Sequence, residues 1–103
     1  MQKYNRPMTD ALSPAERQAL KARAHALAPV AMIGKQGLTP DVLAEIDRQL
    51  TTHEIIKVKT LSDERGEREA WLVAACEALG AAAVQHVGKV LVMYRKRVEP
   101  AAK

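Results

Sequence analysis

Cysteine is nearly missing from this chain of 103 residues: Cys76 stands alone, so no disulfide can form within it. A solitary cysteine fits a reducing compartment. Aromatic residues are just as scarce, at 3% of the composition, with Trp71, Tyr4 and Tyr94 and no phenylalanine. The core is therefore left to aliphatic side chains. No apolar run approaches the roughly 20 residues that a membrane-crossing helix requires. The first twelve residues are polar and hold no signal-peptide segment, so a cytoplasmic location is expected. Acidic residues are absent from Gln85 to Arg97, whereas Lys89, Arg95, Lys96 and Arg97 lie within that span.

Hydrophobic residues make up 48% and charged residues 27% of the composition, which excludes global disorder and describes a folded α/β or α+β protein. The length suits one core and is too short for two. Net charge is +4. Its distribution is more telling, because Asp63 to Glu77 is rich in acids while the later segment is cationic. Such asymmetry points to a polyanion met by one face, with nucleic acid ahead of a membrane surface, for which a basic amphipathic segment with bulky apolar residues is missing.

Residues 1–11 show neither helical nor strand periodicity and read as a flexible tail; the domain is expected over 12–98, followed by a short tail over 99–103. Ser13-Pro14-Ala15-Glu16 forms a capping box, and a helix follows to about Leu27. Leu20, Ala24 and Leu27 share its core face; Arg17, Lys21 and His25 share a basic one. Val30 to Ile33 reads as a strand, and Thr39 with Pro40 opens a second helix ending near His53. Glu54 to Leu61 alternates as a strand, with Lys57 and Lys59 on one face and Ile56 and Val58 on the other. Ser62 and Asp63 open a third helix that Gly80 stops. Strands over about Ala83–Val87 and Val90–Lys96 flank Gly88-Lys89 as an antiparallel hairpin. The order αβαβαββ predicts a single compact domain with a four-stranded mixed sheet and helices packed on it.

Gly34-Lys35-Gln36-Gly37 lies between the first strand and the second helix. Two glycines permit positive φ and close backbone approach, and free N–H groups near a helix N-terminus favour a phosphate, with Lys35 adding charge. A plain strand-to-helix turn would look the same, and the residues alone leave both readings open. No Gly-Lys-Ser/Thr ending follows, so nucleotide hydrolysis gains no support.

Three blocks carry a resemblance: Val30 to Thr39 around this loop, His53-Glu54-Ile55-Ile56-Lys57-Val58-Lys59, and Val87 to Arg95. In this order and spacing the chain resembles the CRM domain family, named for chloroplast RNA splicing and ribosome maturation, and within it the bacterial single-domain YhbY-like branch. The likeness runs from about Leu12 to Arg97. It implies an RNA-binding fold similar to the C-terminal domain of translation initiation factor three, with the Gly-x-x-Gly loop at the RNA surface. It also implies association with precursors of the large ribosomal subunit. Gly34, Lys35, Gln36 and Gly37 match the loop motif, and Lys57, Lys59, Lys89 and Arg95 sit in the matching strand blocks. Arg17 and Lys21 would continue the phosphate path, although a solvent-facing helix side has the same pattern. Each lysine is also open to being a solvated surface charge.

Little else in the chain suggests chemistry. His25, His53 and His86 are far apart in sequence and have no ligand-pair spacing with Cys76, so no metal is expected, and no cofactor or small-molecule substrate either. Cys76 falls on an apolar stripe and reads as core. No nucleophile has an identifiable base, so a non-enzyme is expected. Three aromatics are too few for a stacking platform, and binding is expected to follow shape and backbone more than base sequence. A monomer that binds RNA, ribosomal RNA in the sense the resemblance implies, is the leading expectation; a protein-interaction adaptor using the acidic face of the third helix is the alternative.

Overall fold

The computed structural model describes residues 12–97; the two expected tails and Val98 lie outside the described residues. Helix α1 (Pro14–Ala24) starts where the capping box requires: Glu16 N donates to Ser13 Oγ at 3.0 Å and Ser13 N to Glu16 Oε1 at 2.8 Å. It ends three residues before the expected Leu27. The chain tightens there, with Leu27 N donating to Ala24 O, because Pro29 bars helical geometry at the residue before it.

Strand β1 (Ala31–Ile33) leads into helix α2 (Pro40–His53), capped by Thr39 Oγ1, which accepts from Val42 N at 3.2 Å. Glu54, expected in the next strand, is instead the hinge between α2 and strand β2 (Ile55–Thr60), with φ of 69°. A direct helix-to-strand connection forces that conformation, and Arg95 N and Arg97 N brace it by donating to Glu54 O and Oε2, each at 2.8 Å. Helix α3 (Arg65–Leu79) begins later than Ser62; Ser62 Oγ instead accepts from Glu64 N and donates to Glu67. Gly80, at φ 65°, closes α3 in left-handed geometry. Strands β3 (Ala82–Val87) and β4 (Val90–Tyr94) form the closing hairpin, with a register shift between Ala83 and Gln85.

The four strands form one mixed sheet in the order β1-β2-β4-β3. β1 runs parallel to β2, and β4 pairs antiparallel with both β2 and β3. Alternation along each strand divides the apolar residues between the two faces. On one face α2 and α3 bring Ile46, Leu50, Leu72 and Cys76 against Ile33, Ile56, Val58, Leu91 and Met93. On the other, α1 sets Leu20 and Ala24 on Ile55, Val84 and Val92. Ile33, Ile46 and Leu50 have no exposed surface, and burial of each such side chain contributes roughly 1.5–3 kcal/mol. The α1 layer covers only part of its face. Met32 and Val87, each 53% exposed, mark the uncovered end.

Candidate functional site

Gly34 to Gly37 folds as a β-turn, with Gly37 N donating to Gly34 O at 3.0 Å. The two glycines have different reasons to be glycine. Gly37 is buried at φ 78°, and a side chain there would meet the Trp71 indole at 3.4 Å. Gly34 is outside the left-handed region, and an added Cβ would have no atom within 4 Å. Trp71 on α3 is thus the floor beneath the turn, a role that sequence spacing did not signal. Lys35 and Gln36 project outward, and their backbone N–H groups have no partner among the described residues. With the N-terminus of α2 just beyond, these donors form a small anion-receptive arch.

The strand register decides which cations lie near the turn. Met32 pairs with Lys59, Lys59 with Val90, and Val90 with Val87, so one row crosses the uncovered sheet end next to Gly34. Lys57 lies on the same face. Across from it, Lys21 of α1 and His25 at its C-terminal cap complete a groove of about 250 Å³ whose lining includes Ala24, Gln85, Val90 and Val92. Lys21, Lys35, Lys57 and Lys59 have no carboxylate partner among the described residues.

The other predicted cations are committed elsewhere. Lys89 is at the turn end, where its carbonyl accepts from Thr60 N at 2.8 Å, but its Nζ lies 2.6 Å from Asp63 Oδ1. That hydrogen bond and charge hold the Asp63 carboxyl below its usual value of 3.8. Arg17 lies at the β3 edge, donating to Ala83 O beside the register shift. Arg95 is not brought together with the loop at all. Because β4 runs antiparallel to β2, Tyr94 pairs with Ile55, and Arg95 falls at the opposite end of the sheet. There its guanidinium donates to Asp47 Oδ1 (2.7 Å), Leu79 O (2.9 Å), Thr51 Oγ1 (2.9 Å) and Asp47 O (3.1 Å), tying α2 to the end of α3. The resemblance places Arg95 among RNA contacts; its Nη1 and Nη2 donors are occupied in holding two helices to the sheet.

A second unexpected cluster is structural. Arg68 is buried; its Nε donates to His86 Nε2 at 3.1 Å and its Nη1 to Ser62 O at 3.0 Å. With Nε2 accepting, the ring proton sits on Nδ1, 2.8 Å from Glu69 Oε1. Burial pushes the Cys76 thiol up to about 12, which leaves it unreactive at neutral pH. No group of three or more metal-binding side chains occurs among the described residues, and no helix there is long and apolar enough to cross a membrane.

A family model described as the CRS1 / YhbY (CRM) domain matches residues 12–95. An RNA-binding protein of Haemophilus influenzae is 44% identical over 88 residues, which cover 85% of this chain and 89% of that protein. A protein of Pseudomonas aeruginosa named as a probable RNA-binding protein is 40% identical over 90 residues, 87% of this chain and 86% of its own. Among solved structures, a Staphylococcus aureus protein described as a candidate RNA binding protein has a TM-score of 0.77 at 30% identity, covering 85% of this chain and 92% of that one.

Proposed function

Because the chain belongs to the CRS1 / YhbY (CRM) domain family, we propose that it is a non-catalytic RNA-binding protein that grips a phosphate backbone at the Gly34–Gly37 turn. The single observation that carries this reading is the pair of N–H groups at the exposed residues Lys35 and Gln36, without partners among the described residues. Phosphate oxygens are the natural acceptors for such donors, and Lys35, Lys59, Lys57 and Lys21 supply charge around the same end of the domain. The names of the relatives point the same way. Replacing Lys35 by glutamate tests it. Binding should weaken across RNA sequences, and the slope of log affinity against log salt should fall by about 1 for each phosphate that is no longer neutralised. An unaltered slope refutes the role.

The finer reading is an assembly factor in the cytoplasm, acting as a monomer on ribosomal RNA within precursor large subunits. Its support is the family resemblance. Gradient sedimentation of a cell extract tests it: migration with immature large subunits is the expected result, and migration only as free protein refutes it. The adaptor alternative loses ground because three of the five acids between Asp63 and Glu77 are used internally. Asp63 holds Lys89, Glu67 accepts from Ser62, and Glu69 pairs with His86.

A further inference from the structure

We propose that the groove between α1 and the uncovered end of the sheet receives one unpaired nucleobase of the bound RNA. This deepens the RNA-binding reading and rests on it.

The groove combines three kinds of surface that a nucleotide needs and that few other ligands need together. Its floor is aliphatic, made by Val87, Val90 and Val92. Val87 is 53% exposed on a sheet face that α1 leaves bare, so an apolar surface stands open to water. A base lying there would remove that surface from water. The rim is polar, with the Gln85 amide able both to donate to and accept from a base edge, and the His25 ring able to lie against a base plane. Lys21 and Lys57 flank it as cations without carboxylate partners among the described residues, and no acidic residue among those described lines it.

Size narrows the occupant. About 250 Å³ is below the roughly 300–1,000 Å³ of sites for drug-sized ligands, which suits a single ring system rather than a peptide segment or a lipid chain. Charge disfavours a second copy of the chain. A symmetric pairing through this face would set Lys21, Lys57 and Lys59 against their own equivalents. Continuity with the turn favours RNA. Met32, which pairs with Lys59 in the same row, is two residues from Gly34, about 7 Å along β1, and the row reaches the groove at Val90, two strands and about 10 Å further across the sheet. A strand held by its phosphate at Lys35 can therefore pass over Lys59 and place a base a nucleotide or two further on in the groove. Paired RNA has no base to offer there. The site thus favours a bulge, loop or single strand next to a helical segment.

The test is a methyl and amide spectrum of the full chain titrated with adenosine monophosphate and, separately, with inorganic phosphate at matched ionic strength. The expected result is that the methyl signals of Val87, Val90 and Val92 move with the nucleotide and stay still with phosphate. Equal movement with both, or none with either, overturns the proposal. If the Lys35 and Gln36 amides respond while the valines stay silent, the groove assignment fails and the turn reading survives. If the valines respond while RNA leaves the turn amides unmoved, the turn reading fails and the base site stands. Methyl signals that follow protein concentration instead would identify a second copy as the occupant and overturn the proposal. A companion variant, Val87→Ser, leaves the core alone. It should weaken binding of a single-stranded oligonucleotide roughly threefold to tenfold and leave duplex RNA unaffected. Equal effects on both RNAs count against a base in the groove.

Discussion

Replacing Gly34 by alanine separates a glycine kept for the fold from one kept for a ligand. A Cβ at Gly34 would meet nothing within 4 Å, and its backbone is outside the left-handed region. The substitution therefore costs the native state nothing and removes freedom from the unfolded chain, which stabilises by about 0.4–1 kcal/mol. For a domain of this size that raises the melting temperature by about 2–8 °C. RNA binding should move the other way. The new methyl fills the open space next to the Lys35 donor, from which a phosphate would approach, and loss of one hydrogen bond to a charged oxygen costs about 1.5–3 kcal/mol, or roughly ten- to hundredfold in affinity. Gly37→Ala gives the contrasting result. At φ 78° a Cβ costs about 1–2 kcal/mol and presses on Trp71, so melting falls by about 4 °C or more. Thermal melting by circular dichroism, with fluorescence anisotropy on a structured RNA, reads both quantities. A Gly34→Ala protein that melts lower, or that binds as tightly as the parent, refutes the reasoning.

Groups that the fold itself engages give three further expected outcomes. Arg95→Ala should lower stability by roughly 2–3 kcal/mol in urea unfolding, since the carbonyls of Leu79 and Asp47 are deprived of a charged donor; RNA affinity of the folded protein should stay unchanged, and a loss of binding without loss of stability contradicts its structural role. His86→Ala strands the buried Nε of Arg68 and should cost about 1–3 kcal/mol, while nitrogen spectra of the parent should show the ring proton on Nδ1 and Nε2 as the acceptor; a proton on Nε2 instead contradicts the network. The Asp63 carboxyl is held lower in the folded state than its usual value, so the stabilisation from its pair with Lys89 is present above pH 3.8 and disappears as pH falls below it. Urea midpoints of Asp63→Asn should accordingly lie below the parent's at neutral pH and converge with them in acid, and a difference that grows in acid reverses the sign.

What the sequence made legible is what is decided locally. The caps at Ser13 and Thr39, the stop at Gly80 and the turn at Gly34 to Gly37 each rest on a few neighbouring residues, and each appears as expected. Two-residue alternation placed Lys57 and Lys59 on one face and Ile56 and Val58 on the other, and the mixed sheet followed from element order. Which of Lys89 and Arg95 lies at the turn's end of the sheet depends on how β4 pairs with β2, which no local pattern contains. They are neighbours in the same cationic stretch, yet β4 carries them to opposite ends of the sheet, about 20 Å apart along the strand. The same limit hid Trp71 beneath Gly37, the Arg68–His86 pairing and the groove, all of which arise from packing between elements distant in sequence. Helix α1 shows the smaller kind of miss, where a proline at position 29 trims the last turn that periodicity alone would continue.

Amide spectra of the full chain, titrated with a fragment of large-subunit ribosomal RNA, test the turn as a phosphate receptor most directly. The Lys35 and Gln36 signals should shift or broaden first, with Lys57 and Lys59 following and Arg95 and Asp47 at rest. Shifts centred on the acidic side of α3, or on the Arg95 end of the sheet with the turn silent, would contradict it.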